Sequence, residues 1–128
     1  MTTDPAAPTV HRIPTRNGDE LRVLDWDGSG PPVVLLHPNG FCGGLYEPLA
    51  RSLLGTARAV AIDMVGHGGS TTPKDPTRYR FSSMAGDVLD VLDHPVIQRC
   101  QLHKIRNVKD HLPQRLRASV GRKMTDAY

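Results

Sequence analysis

VVLLHPNGFCGGLYEPLARSLLGTARAVAIDMVGHGGS, residues 33–70, is the stretch whose reading decides the fold. Val33, Val34, Leu35 and Leu36 are apolar in succession, so both faces of the strand they form need cover, as in a parallel sheet flanked by helices. A turn follows at Pro38–Gly44. Tyr46, Leu49, Ala50, Leu53 and Leu54 then recur at helical spacing, and Gly55 fits a helix C-cap. Ala57–Met64 reads as a second buried strand and Gly66–Ser70 as another glycine-rich turn. Strand, helix and strand in this order imply a right-handed crossover between parallel strands. Such sheets carry their chemistry at the carboxyl ends of the strands. Here those ends are His37–Phe41 and Asp63–Ser70.

Outward from this stretch, residues 1–9 consist of Met, Thr, Pro, Ala and one Asp and predict a disordered terminal tail. Val10–Pro14 and Leu21–Trp26 predict two strands of a β-hairpin. The Asn17-Gly18 pair between them suits a tight turn in which both central residues take positive φ. Asp27–Pro32 is a breaker cluster. Beyond Ser70, Thr71–Tyr79 is a polar loop. Phe81–Leu92 predicts a helix capped by Ser82 or Ser83, with Met84, Val88, Leu89, Val91 and Leu92 on its apolar face. Residues 10–94 therefore predict an α/β fold, a β-hairpin followed by a parallel β-α-β-α unit.

Hydrophobic residues make up 38% of the chain and charged residues 23%, a balance that suits a folded globular protein and not a disordered one. Aromatics reach only 5%, so the core must rest on Val, Leu, Ile and Ala. The apolar run Val33–Leu36 is far short of the ~20 residues of a membrane span, so no membrane partner is expected. The opening MTTDPAAPTV has no basic segment leading into an apolar one. It does not read as a signal peptide, and a cytoplasmic location with Cys42 and Cys100 reduced is the expectation. Charge is distributed unevenly: residues 1–94 carry a net −3 and residues 95–128 a net +6. So sharp a change marks a boundary and suggests different partners for the two parts.

IPTRNGDELRVLDW (13–26), VVLLHPNGF (33–41), AVAIDMVGHGGS (59–70) and FSSMAGDVLDVLDH (81–94), in that order, resemble the α/β-hydrolase family in its epoxide-hydrolase and esterase-like branch. The resemblance implies a small-molecule ester or epoxide substrate and no cofactor. It also implies that the turn after the strand at Val33–Leu36 supplies a backbone N–H to an oxyanion hole. Carried over, this donor falls on Asn39, Gly40 or Phe41, because Pro38 has no N–H. A preorganised donor of this kind is worth ~3–4 kcal/mol in the transition state. Phe41 would line the pocket. His37, Asp63 and His67 fall where the family keeps turn-forming residues.

The same resemblance implies a nucleophile on a G-x-S-x-G or G-x-D-x-G elbow, and an acid and a base later in the chain. Ser70 has Gly68 two residues before it but Thr72 two after, and no other Ser or Asp fits better. The expectation is a truncated α/β-hydrolase sheet, inactive alone and active only if another chain completes it. Gly40-Phe41-Cys42-Gly43-Gly44 offers a second reading, G-x-C-x-G, with Cys42 as nucleophile, His67 as base and Asp63 orienting it. Against it, Pro38-Asn39 separates the strand from the supposed elbow. In the family sheet the strand at Val33–Leu36 is interior. If its outer neighbour is missing, an apolar edge is left open to self-association.

From Pro95 the pattern changes. Leu102, Ile105, Val108 and Leu112 form one helical stripe, and Leu116, Val120 and Met124 another beyond Pro113, so residues 95–128 predict a basic two-helix tail. VIQRCQLHKIRNVKDHLP (96–113) resembles Mutator-type insertion-sequence transposases. Their RNase H-like domain carries three acidic metal ligands, which this chain lacks. The C-x-x-H pair of Cys100 and His103 is half a metal site. Lys104, Arg106, Lys109, Arg115 and Arg117 are the candidates for weak DNA contact through phosphates. The alternative is that these cations are the solvated faces of two short helices. Taken together, the readings predict a chimeric product: 1–9 a tail, 10–94 hydrolase-like and 95–128 transposase-like.

Overall fold

The computed structural model describes residues 4–97 and 113–126. The chain divides into two compact units, Met1–Leu92 and Asp93–Tyr128. In the first, β1 (Thr9–Pro14), β2 (Glu20–Asp25), β3 (Pro32–Leu36) and β4 (Arg58–Ile62) form one sheet in the order β1-β2-β4-β3. β1 and β2 pair antiparallel, as do β2 and β4, whereas β3 runs parallel to β4 with Val34 opposite Val60. A 3-10 turn (Gly43–Tyr46) and α1 (Glu47–Leu53) form the crossover from β3 to β4. A second 3-10 turn (Pro76–Tyr79) leads into α2 (Phe81–Asp93). This is the α/β order that periodicity predicts.

Local details depart from expectation. In the hairpin only Gly18 takes positive φ, at 83°, and Asn17 does not. The Gly18 N–H donates to the Thr15 carbonyl (3.0 Å) and the Thr15 N–H to Asp19 (2.8 Å), so the loop is a longer turn closed by one left-handed glycine. Gly55 is not left-handed. The N–H groups of Thr56 and Ala57 instead both donate to the Leu53 carbonyl at 2.8 Å, which satisfies the end of α1 without a glycine cap. Neither serine caps α2 as expected: the Ser83 hydroxyl donates to the Thr77 carbonyl at 2.9 Å, tying the helix back to the preceding loop.

The core is built on the two sheet faces. Leu24, Trp26, Ala59 and Ala61 pack with Ala50 of α1, and Leu35, Tyr46 and Leu54 close over them. Strand alternation turns Leu21, Val23, Val60 and Ile62 to the opposite face, where all are buried. β4, with a neighbour on each side, is buried along its whole length. β3 is not the fully covered strand that its apolar run suggests. Among the described residues it pairs with β4 alone, and Leu36 is 46% exposed. Among the described residues no strand pairs with the outer edge of β3, and nothing in VVLL carries the charge or proline that usually guards such an edge.

On the β2–β4 seam Arg58 donates from Nε to Asp25 Oδ1 (2.9 Å) and from Nη2 to Oδ2, and His11 Nε2 lies 3.1 Å from Oδ2. Burial alone would raise the Asp25 carboxyl. The hydrogen bonds and charge of Arg58, joined by His11, outweigh it and hold the group below the usual carboxylate range.

Asp63, just past β4, is the second polar anchor and is 0% exposed. Its Oδ1 accepts the Gly43 N–H (2.6 Å), and its Oδ2 accepts the Gly69 N–H (2.9 Å) and Arg22 Nη1 (3.2 Å). One carboxylate thus joins β2 to the turns that follow β3 and β4. Gly68 passes so close, at φ 50°, that a Cβ there would lie 2.1 Å from Asp63 Oδ2. Asp63→Ala removes the acceptor and strands buried donors on three elements. We expect it to cost about 3–5 kcal/mol, the usual loss when one partner of a buried ion pair is deleted. Urea unfolding of the two proteins measures this, and a loss below about 1 kcal/mol would contradict the role given to Asp63.

In the second unit residues 95–97 are helical and α3 (Gln114–Asp126) is formed. Arg115, Arg122 and Lys123 are exposed, and Arg117 is half-buried. Cys100, His103, Lys104, Arg106 and Lys109 lie outside the described residues.

Candidate active site

At the carboxyl ends of β3 and β4 a cleft of about 510 Å³ opens. One wall is Leu36, His37 and Asn39 after β3, with Met64 and His67 after β4. Tyr79 and the α2 side chains Phe81, Met84 and Val88 form the facing wall. The α2 wall is apolar, and the polar atoms cluster on the sheet side. This is where a parallel crossover places a site, because both loops leave the sheet at the same end.

The two histidines hold that side together. His37 is buried; its Nδ1 donates to the Pro38 carbonyl (2.9 Å), and its Nε2 accepts the Met64 N–H (3.0 Å). His67 Nδ1 donates to the Val65 carbonyl (2.9 Å), and its Nε2 accepts the Gly40 N–H (3.1 Å). Backbone partners thereby fix the tautomer of both rings, since a carbonyl only accepts and an amide N–H only donates. The rings face each other with centroids 4.8 Å apart. Both histidines are turn organisers, as the sequence suggests.

The three oxyanion candidates are not equivalent. The Phe41 N–H donates to the Pro38 carbonyl at 3.1 Å, closing the turn on itself. The Gly40 N–H is taken by His67. Among the described residues the Asn39 N–H has no partner. The Phe41 side chain does not line the cleft as expected. It is 54% exposed, because the left-handed Gly40 (φ 85°) swings the chain outward before it.

Cys42 is a free, half-buried thiol just before the 3-10 turn. The hydrogen bonds of His67 run to Val65 and Gly40, with Asn39 Oδ1 3.1 Å from its Nε2, and those of the Asp63 carboxylate run to Gly43, Gly69 and Arg22. The Cys42, His67 and Asp63 side chains therefore do not form a hydrogen-bonded relay. Ser70 is equally committed: its hydroxyl donates to the Asp63 carbonyl (2.6 Å) and accepts the Arg22 N–H (2.8 Å). No group of three or more metal-ligating side chains occurs among the described residues.

Sequence reasoning missed Arg78. It donates from Nε to Asp19 and from Nη2 to Asp87, both at 2.7 Å, and so clamps the loop before α2 to the hairpin and to α2 itself. Burial raises the Asp87 carboxyl above its usual range, against the opposing pull of Arg78. Partners 59 residues apart leave no local pattern, and only the oddity of an arginine beside Tyr79 could have drawn notice.

Residues 31–99 match the α/β hydrolase fold family. Epoxide hydrolase B of Mycobacterium tuberculosis is 36% identical over 89 residues, 66% of this chain and 25% of that protein. The pimeloyl-[acyl-carrier protein] methyl ester esterase of Methylococcus capsulatus is 33% identical over 72 residues, 56% of this chain and 27% of the esterase. Among solved structures, an esterase from Exiguobacterium antarcticum superposes with a TM-score of 0.61 at 30% identity, covering 66% of this chain and 31% of the esterase. The chain spans about a quarter of the length of these curated relatives. The sequence match and the structural superposition agree, and the chain belongs to the α/β hydrolase fold family.

Proposed function

We propose that residues 10–94 are the oxyanion-side half of a hydrolase for a small ester or epoxide. The nucleophile, acid and base then lie outside these 128 residues. The observation that carries this reading is the N–H of Asn39 on the polar wall of the cleft, which has no partner and no nucleophile hydrogen-bonded to a base beside it among the described residues. Asn39 is then the donor to the developing oxyanion. The relatives named above act, by their names, on epoxides and on a methyl ester. Incubated with p-nitrophenyl esters and styrene oxide, the 128-residue chain is expected to give no turnover above buffer. Turnover lost in Cys42→Ala would instead restore the thiol mechanism.

The open edge of β3 supports a second feature of this reading, self-association strand to strand. Light scattering across a concentration series should give a mass that rises above 14.0 kDa. A lysine at Val33, which is 36% exposed, should suppress that rise. A monomeric mass at every concentration would count against it.

For the second unit we propose weak DNA binding, in line with the transposase-like reading of 95–128 and with truncation at a chimeric junction. Arg115 and Arg122, seven residues apart and exposed, share a face of α3. Each phosphate neutralised should steepen log K against log salt by about 0.9. A titration against duplex DNA reads this slope, and a flat line removes the proposal.

A further inference from the structure

We infer that His67 is a proton-operated latch on the turn at residues 38–41, and that its protonated state opens this turn to a carboxylate or other small oxyanion. The inference rests on the ring's partners and not on the hydrolase reading. In the neutral ring Nδ1–H donates to Val65, and the Nε2 lone pair accepts the Gly40 N–H at 3.1 Å. A second group stands at the same nitrogen: Asn39 Oδ1, also 3.1 Å from Nε2. A carboxamide oxygen is of no use to a lone pair, but it is an acceptor in place for an N–H.

Adding a proton to Nε2 therefore breaks one hydrogen bond and makes another without moving the ring. The Gly40 N–H loses its acceptor, Nε2–H donates to Asn39 Oδ1, and Nδ1–H stays on Val65. The turn then has two adjacent free N–H groups, of Asn39 and Gly40, beside a cationic ring, an arrangement that receives oxyanions. His37 makes the contrast. Its Nε2 accepts the Met64 N–H, and no acceptor stands ready for a proton there.

The titratable groups facing His67 are few. The ring of His37, in the turn after β3, has its centroid 4.8 Å away and is tilted by 54°, and Tyr79 lines the same cleft. The Asp63 carboxylate, at the end of β4, is held by Gly43, Gly69 and Arg22. α2 contributes Phe81, Met84 and Val88, none of which titrates. His67 is partly open to solvent, and imidazole is the side chain that exchanges a proton between about pH 5 and 8.

The test is an NMR titration of the full 128-residue chain over that range, following the His67 ring nitrogens and the Gly40 and Asn39 amides. The Gly40 amide should titrate with the same midpoint as the His67 ring. Its protection from exchange, corrected for intrinsic rate, should fall about two- to tenfold on the acid side, the worth of one backbone hydrogen bond. Sodium acetate should shift both amides below the midpoint and leave them unmoved above it. A His67→Gln variant, whose fold the same spectrum checks, keeps an acceptor for Gly40 but cannot titrate, so the Gly40 response should vanish. A Gly40 amide that stays flat while His67 titrates overturns the latch. So does one that still titrates in His67→Gln, or an acetate response equal on both sides of the midpoint.

Discussion

A single carboxylate, that of Asp63, holds the functional end of this fold together. With no exposure to water it receives an arginine from β2 and backbone N–H groups from the turns after β3 and β4. A charge so placed is tolerable only when it is paired and both of its oxygens are hydrogen-bonded, and this requirement shapes what surrounds it. Gly43 and Gly68 are glycines because a Cβ at either would press on the carboxylate. Ser70 extends the same knot, from the Asp63 carbonyl to the Arg22 N–H. The His37–Met64 bond adds a second tie between the same two loops. The polar wall of the cleft therefore behaves as one body, although its residues come from three elements.

The rest of the molecule uses charge in the same way. With few aromatics, the sheet has little large apolar surface with which to fix its register. Asp25 with Arg58 marks the β2–β4 seam, and Arg78 with Asp19 and Asp87 fixes the approach to α2. Such pairs contribute little net free energy compared with apolar residues of equal volume, because desolvation offsets attraction. Their effect is to make wrong registers costly, since a one-residue slip would leave a buried charge alone. The clamp at Arg78 is also imperfect: Arg78 Nη1 and Asp87 Oδ2 are buried without partners among the described residues.

What could be read from the sequence follows from the range of the forces involved. β4 and α1 were legible because apolar spacing is a local signal that burial amplifies. The carboxyl ends of β3 and β4 were legible as a site because connectivity alone puts them side by side. The caps were not. Gly55 and Ser82 have the right chemistry for capping, but the N–H groups of Thr56 and Ala57 go to the Leu53 carbonyl and that of Met84 goes to the Arg80 carbonyl. That β3 pairs with β4 alone among the described residues was legible only through the family resemblance; by composition VVLL asks for cover on both faces. The unequal availability of Asn39, Gly40 and Phe41 was beyond reach, since it depends on a histidine 27 residues away from Gly40.

This last dependence bears on the proposal that the turn is half a site. An oxyanion donor is effective only if it is aimed before the charge arrives, so its geometry must come from the scaffold and not from the reacting groups. Here the turn takes its shape from Gly40, from the Phe41–Pro38 hydrogen bond and from His67. His67 in turn is held by the Val65 carbonyl, two residues from the Asp63 anchor. None of these supports is a nucleophile hydrogen-bonded to a base. The polar wall can therefore assemble from the described residues alone, and under the proposed function a nucleophile brought from elsewhere would meet a donor already in position.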